Sequence, residues 1–484
     1  MHRCPGHKLF GSGADVCGPG GEWTGRQLLG ARAGNVRSRT PTFRDELSGR
    51  RPGTAEYRPK LRVGLDLATA VRGQLAGVLE VGFVRVCFIA HDAELGAVGK
   101  GIVELAEGMR LLGVESVAVL PGRRPLTRAL QRQGVPVLML PVPWWCDRYD
   151  TPAGRIGRSM ANLVLTGPFA AAFRILRCDV VYTHTVVTGV GGMAACLAAV
   201  PHVWHVHEYG YEDHRLHFDF GFERTARLVG RWSAAVICVS KALARRYESF
   251  VPAARLHVIY QSVTVRPDAE AEEKAIRERC QVGRALRLIL VGEVKEGKGQ
   301  VDAVRGTALL ARDGIDTELL LVGNVEPSYG RYLRQTIEEL GIGDRVRFVG
   351  WVENPYPLVR SADVALMCSR SEAFGRVTVE AMLAGKPVVG ARAGATPELV
   401  REGFNGLLYS PGDAAELARQ VAVLHRHPQR AREMGEAGRR WAARTFTVQR
   451  YAAEVAQVLR AAAGVRQAEA VSGSAPLPRR PSVS

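Results

Sequence analysis

No stretch of this 484-residue chain reaches the roughly eighteen uncharged apolar residues of a membrane-spanning helix. The nearest candidate, residues 63–90, is broken by Asp66, Arg72, Glu80 and Arg85. The opening residues, MHRCPGHKLFGSG, lack the apolar centre of a signal peptide. The nine cysteines include no C-x-x-C pair, which speaks against a zinc ribbon or a redox motif. Cys87, Cys238 and Cys368 fall inside apolar runs and read as reduced core thiols of a cytosolic protein. Metal-ligand spacing is missing as well. His207-Glu208 begins an HExxH pattern that fails at Tyr211, and His202 and His205 add no suitably spaced partner set, so no metal is expected. Acidic residues are in deficit, and the net charge is +17, with much of the excess in the first sixty residues and the tail. There is no nucleic-acid motif and no basic stripe interleaved with aromatics, so nucleic acid is not expected as a partner. The charge leaves two readings, attraction to an anionic membrane surface and plain compositional bias.

An apolar fraction of 46% over this length can fill two cores. Residues 1–80, rich in Gly, Arg and Pro without periodicity, read as a disordered or poorly packed extension. Order begins at VRVCFIAH (84–91), a first strand, followed by a glycine-bearing loop, Glu94 to Gly101, and a helix. SVAVLPG, PVLMLPV, DVVYTHT, PHVWHVHEYG, SAAVICVS and LHVIYQ continue the strands, with helices between them. This alternation predicts a doubly wound parallel sheet over 81–265. LRLILVGEV, TELLLVGN, VRFVGWV and ADVALMCS predict a second one over 266–447. The tandem Trp144-Trp145 would stack on a sugar, touch lipid or pack a wall between domains. The helix expected over 156–176 is amphipathic and basic at both ends, which suits a membrane surface or a half-buried position equally. The tail, 464–484, is low in complexity and reads as disordered.

The most informative stretch is 369–412. The apolar run before it predicts a buried strand. A polar loop, Ser369 to Glu372, follows, and Phe374-Gly375 opens a helix over 376–384. Gly385 supplies a left-handed cap and Pro387 blocks continuation. The free N–H groups of the first helical turn then stand at the strand's carboxyl end, where they suit a phosphate. Glu380 lies one turn after Arg376, and its side chain leans back toward that end. It would repel a phosphate it touched, but it suits the two vicinal hydroxyls of a neighbouring ribose. Glu372 sits on the other side of the phosphates. The plain alternative is a pair of solvated helix-face acids.

Glu372, Phe374-Gly375 and Glu380-Ala381-Met382 match the Glu-seven-residues-Glu signature of retaining glycosyltransferases. With Gly385-Lys386-Pro387-Val388-Val389, Pro397-Glu398-Leu399-Val400 and Asn405-Gly406-Leu407-Leu408, the match runs over about forty residues. The chain resembles family 4, the glycosyl transferases group 1, from residue 84 to 463.

The resemblance implies a GT-B fold, two Rossmann-like α/β domains with a cleft between them. The first would take the acceptor and the second the nucleotide-sugar donor, with a helix over 448–463 crossing back to the first. It implies sugar transfer, with retention, to a hydroxyl of a glycan or lipid-linked glycan, in cell-surface polysaccharide assembly. No metal or other cofactor is expected. The location implied is cytoplasmic, with peripheral contact at the inner face of the cell membrane.

His207, Lys298 and Glu372 are the expected catalytic residues, and Lys298, Phe374, Gly375, Arg376 and Glu380 the donor-binding ones. Gly96, Gly99, Trp145 and Glu208 are candidates on the acceptor or sugar side. Three departures from the family pattern stand out. Glu293 replaces a usual arginine, for which Lys295 or Arg376 would compensate; Gln261-Ser262 replaces Asn-Gly; and the usual Gly-Gly is absent near Gly96. Two other readings stay open, a nucleotide-sugar 2-epimerase and a non-catalytic glycan-binding or scaffold protein of the same fold.

Overall fold

The structure, a computed structural model, describes residues 84–281 and 285–464. The readings for 1–80 and for the tail beyond Gly464 lie outside those residues. Nine strands come first: β1 (Arg85–Ile89), β2 (Glu115–Leu120), β3 (Val137–Met139), β4 (Cys146–Asp147), β5 (Val180–Thr183), β6 (His202–Val206), β7 (His217–Phe218), β8 (Ala235–Cys238) and β9 (Leu256–Val258). Seven of them form a parallel sheet in the order β3-β2-β1-β5-β6-β8-β9, and β4 pairs with β7 as a small antiparallel ribbon. Six more follow: β10 (Leu286–Val291), β11 (Thr317–Val322), β12 (Val346–Gly350), β13 (Val364–Met367), β14 (Val388–Ala391) and β15 (Gly406–Tyr409). They form a second parallel sheet, β12-β11-β10-β13-β14-β15. Strands such as RVCFI and VALM are buried along their whole length, because helices cover both faces of each sheet. In both sheets the winding direction reverses beside the first strand, between β1 and β5 and between β10 and β13. Ligands of open α/β sheets bind at such switch points, at the carboxyl ends of the strands.

Both sheets are stitched at the amino end in the same way. The Arg85 backbone N–H donates to Asp179 at 2.7 Å, and its Nε donates to Glu115 at 2.7 Å. The Arg287 backbone N–H donates to Asp363 at 2.9 Å, and its Nε donates to Glu318 at 2.7 Å. Each arginine lies within the first two residues of the first strand of its sheet, each glutamate faces it across the neighbouring parallel strand, and each aspartate precedes the strand on the other side.

The helix Val448–Ala462 leaves the second sheet and buries Tyr451, Ala452, Val455 and Leu459 in the core that also holds Ile102, Leu105 and Met109. Gly108 permits this approach, since a Cβ there would fall 2.3 Å from that of Ala452. Between the sheets, the Glu398 carboxylate accepts from the backbone of Lys241 and Ala242 at 2.9 and 2.7 Å and from the Tyr260 hydroxyl at 2.7 Å. Phe374 stacks on Tyr260 in the same seam.

The helix Pro152–Ile175 buries Asn162, Phe169, Ala170 and Phe173 on one face. Its other face leaves Ile156, Met160, Leu163 and Val164 exposed. Among the described residues, no helix is long and apolar enough to cross a membrane.

Candidate active site

The two loops at the second switch point are zipped together by their backbones. The Arg370 N–H donates to the Gly297 carbonyl at 2.9 Å. Gly299, at φ +71°, lies so close to the end of β13 that a Cβ would fall 2.0 Å from the Cys368 carbonyl oxygen. Only glycine fits that conformation and that gap. The approach brings the Lys298 Nζ to 2.8 Å from the Glu372 carboxylate. Glu372 is buttressed from behind by Ala395, whose N–H donates to its carbonyl at 2.8 Å. Burial opposes both charges of the pair, but each partner outweighs it. The Lys298 pKa is held above its ordinary value and that of Glu372 below.

The helix Arg376–Leu383 starts at Gly375, at φ +96°, beside the pair, where a Cβ would come within 3.3 Å of the Glu372 side chain. Phe374 is buried against Tyr260 and Phe446 and seats this start. Glu380 is half-buried one turn in, and while its carbonyl accepts from the Ala384 N–H at 3.0 Å, its carboxylate makes no hydrogen bond or ion pair among the described residues. Burial raises its pKa, against the nearby charges of Arg376 and Lys100. Such a carboxylate is an acceptor held in place with its hydrogen-bonding capacity unused.

Neither cation expected to replace the missing arginine is free. Lys295 pairs with Glu293 itself at 2.8 Å. Arg376 turns its guanidinium toward the first sheet, donating to Glu104 at 2.9 and 3.2 Å and to the Ser262 carbonyl at 2.7 Å. Its backbone stays at the helix start while its side chain bridges the domains.

At the first switch point the chemistry is neutral. His184, after β5, and His205 and His207, on and after β6, lie with ring nitrogens within 4.8 Å of one another. The His207 ring lies tilted against His184 and His205, at centroid distances of 4.0 and 4.1 Å and interplanar angles of 44° and 38°. Burial drives all three pKa values well below the ordinary histidine value. The Tyr182 hydroxyl meets His205 Nδ1, and the Gln261 amide meets His207 Nδ1 at 2.7 Å.

The remaining sequence candidates divide. Glu208 is buried, and its carboxylate accepts from the Thr185 hydroxyl and the Val186 N–H, holding the turn after β5. Gly96 precedes the helix Ala97–Leu111, and Gly99 packs on the Glu94 carbonyl, where a Cβ would come within 2.2 Å. Trp145 requires a correction. It is 2% exposed, stacks on Trp204 at 5.5 Å and donates its Nε1–H to the Val186 carbonyl at 2.6 Å. Gly189 leaves the space that its ring fills, so Trp145 is a core side chain and no sugar platform.

Sequence reasoning missed Asp213 and His214, which the short helix after β6 places against the Lys298 loop. Burial pushes Asp213 up to about 7, and its charge acts on Lys298. Burial, with Lys295 and Lys298 beside it, lowers His214 to about 4. Their only local signal was a polar run, Tyr211 to His214, at a strand's carboxyl end.

Comparison with known proteins agrees with this geometry. The family model described as glycosyl transferases group 1 matches residues 273–441, and one described as glycosyl transferase 4-like domain matches 96–261. A GDP-mannose-dependent alpha-(1-6)-phosphatidylinositol monomannoside mannosyltransferase of Mycolicibacterium smegmatis is 30% identical over 358 residues, 67% of this chain and 91% of that protein. An N-acetyl-alpha-D-glucosaminyl L-malate synthase of Bacillus anthracis is 29% identical over 209 residues, 43% of this chain and 54% of that protein. The crystal structure of Anabaena HepE in complex with UDP superposes with a TM-score of 0.64 at 24% identity, covering 78% of this chain and all of that one. The two-sheet architecture is that of the GT-B fold.

Proposed function

Because this chain belongs to the glycosyl transferases group 1 and is a glycosyltransferase of GT-B fold, we propose that it moves a sugar from a nucleotide-sugar donor to a hydroxyl of a glycan or glycolipid acceptor, retaining the anomeric configuration. The observation that carries this reading is the set gathered at the second switch point. Lys298 and the open helix start lie on one side of Glu372, and an unpartnered Glu380 lies one turn behind.

Breaking a glycosyl–phosphate bond leaves negative charge on the diphosphate. Lys298 and the N–H groups near Gly375 and Arg376 stabilise that charge most as it develops. Glu380 accepts from the ribose hydroxyls, and Glu372 holds Lys298 in place and faces the sugar. The acceptor attacks on the face the diphosphate leaves, and the departing phosphate takes its proton, so no separate protein base is needed. The positive charge comes from the lysine and the helix, and the transfer proceeds without a metal. His207 meets the transferred sugar from the first domain.

The acceptor reading extends to where the enzyme works. The helix Pro152–Ile175 contains no acidic residue, and its exposed apolar stripe is flanked by the exposed Arg148, Arg174 and Arg177. An anionic bilayer surface complements it, with cell-surface polysaccharide assembly as the setting.

A thermal-shift titration with UDP, GDP, ADP and their sugar conjugates tests the donor site, with the wild type beside Glu380→Ala. One nucleotide at a hundred times its Kd should stabilise the wild type by about 2.7 kcal/mol. The variant should bind it about 2–4 kcal/mol more weakly, as for lost hydrogen bonds to a charged group. Equal affinity in the two proteins would remove Glu380 from the ribose. No response to any nucleotide would favour a non-catalytic role.

A further inference from the structure

The pair Gln261-Ser262 departs from the Asn-Gly of the family pattern that the chain resembles, and the proposed mechanism gives it no task. The structure places it in the crossover between the domains, with three of its polar groups engaged toward three different elements. The Gln261 side chain, 4% exposed, meets His207 Nδ1 at 2.7 Å. The Ser262 hydroxyl donates to Glu104 at 2.7 Å, and its carbonyl accepts from Arg376 at 2.7 Å. Two residues on, Thr264 donates to the same Glu104 carboxylate from its hydroxyl at 2.7 Å and its backbone at 3.2 Å. Glu104 is buried on the helix Ala97–Leu111, and Arg376 is the first residue of the donor-side helix. Gly101, one turn before Glu104, leaves the room that Gln261 occupies. A Cβ there would lie 3.2 Å from the Gln261 amide nitrogen and 3.5 Å from His184.

We propose that Gln261 is a positioning residue, whose amide fixes the His207 ring and, through Ser262, Glu104 and Arg376, ties its orientation to the donor helix. This rests on the reading that His207 meets the transferred sugar. An imidazole with a free Nε2 and tilted ring neighbours can still turn about its side-chain bonds. Besides the ring contacts, the hydrogen bond at Nδ1 is the contact that sets which way Nε2 points. Because that partner belongs to the crossover, a shift of the donor helix moves Arg376, then Ser262, and with it the amide that holds the ring. Donor binding and the sugar-side histidine are thereby coupled through four residues and without movement of either sheet.

Two variants and a control test this. Gln261→Ala should lower kcat about tenfold to hundredfold, the size expected of a misplaced group, with the nucleotide Kd unchanged. Gln261→Glu keeps a partner at Nδ1, but the carboxylate accepts where the Gln261 amide nitrogen donates, so it moves the proton of a neutral ring from Nε2 to Nδ1 and should not recover that loss. The groups facing His207 are His184, His205 and His91 from the first sheet and Arg376 from the donor helix. Burial, the neighbouring imidazoles and the arginine keep the ring neutral in the wild type, so its rate should be flat through the ordinary histidine range. In Gln261→Glu the carboxylate raises the His207 pKa, and the rate should acquire a step, rising as pH falls through the new value and Nε2 regains its proton. Wild-type kcat in Gln261→Ala, or a Gln261→Glu profile that superposes on the wild type, overturns the proposal. The control is His207→Ala. If that variant turns over normally, the placement of His207 at the sugar fails first. If it loses turnover while Gln261→Ala does not, the positioning role alone fails.

Discussion

The two sheets of this enzyme begin alike and end differently. At the amino ends the same three residue types, arginine, glutamate and aspartate, join the same three strands: Arg85, Glu115 and Asp179 in one sheet, Arg287, Glu318 and Asp363 in the other. At the carboxyl ends, the first sheet offers clustered neutral imidazoles and the second a lysine–glutamate pair beside a helix start. The backbone frame is common to both, so the difference in chemistry comes from a few loop residues. A charged diphosphate belongs with fixed charge and helix N–H groups, and a neutral sugar hydroxyl with uncharged imidazole. The buried ionic stitches organise the frame, and the task proposed for the cleft pair is to act on ligand.

That division predicts opposite consequences for two cations of the same sheet. Arg287→Leu should destabilise the fold by about 3 kcal/mol, the low end for breaking a buried pair. The low end applies because Arg347 still reaches Glu318, at 3.1 Å. Denaturant unfolding reads the loss, and nucleotide affinity of the folded fraction should stay at the wild-type level. A tenfold weaker affinity there would mean that the amino-end stitch governs the site. Lys298→Ala should do the reverse. Turnover should fall about 10²–10³-fold, equivalent to about 2.7–4 kcal/mol of transition-state stabilisation. Its melting midpoint should move less than that of Arg287→Leu. A midpoint that falls as far as activity does would make Lys298 a second stitch rather than a catalytic group.

Much of this was legible in the chain. The strands are runs of Val, Ile and Leu bounded by glycine loops, and burial on both faces makes such runs continuous. The resemblance assigned Lys298 and Glu372 to one donor site, while the strand order, the switch points and the ion pair between the two residues came from the structure. What the sequence concealed are contacts across long chain separations. Arg376 turns away from the donor loop because Glu104, 272 residues earlier, meets it on the far side of the helix start. Glu293 is neutralised by Lys295, two positions on, yet charge pattern alone could not say whether that lysine faced ligand or its neighbour. Trp145 looked like a sugar platform because its tandem with Trp144 suggests exposure. Its burial depends on Gly189, whose missing side chain makes room for the ring, and no local pattern reports that.

The exposed stripe of the first domain extends the comparison to the outside of the molecule, where the smallest effect is expected. Ile156 and Leu163 are 66% and 59% exposed on a helix whose opposite face is core. The helix begins just after Trp144-Trp145, whose loop also holds Trp144 Nε1 against the His91 carbonyl beside the first switch point. An acceptor held in a bilayer would therefore meet the neutral end of the cleft when the stripe lies on the surface. Partial burial of one such side chain contributes about 1–1.5 kcal/mol, half of the value for full burial. Ile156→Glu should then weaken partitioning onto vesicles containing anionic lipid roughly tenfold, by sedimentation, through lost burial and added repulsion. Transfer to a short soluble acceptor should be unchanged, because the site itself is untouched. The same change in the second domain, at the exposed Tyr332, should leave vesicle binding intact. If both variants lose binding equally, general charge holds the protein to lipid and the helix face has no special part. If neither does, the stripe belongs to something other than a bilayer, and the two domains differ only inside the cleft.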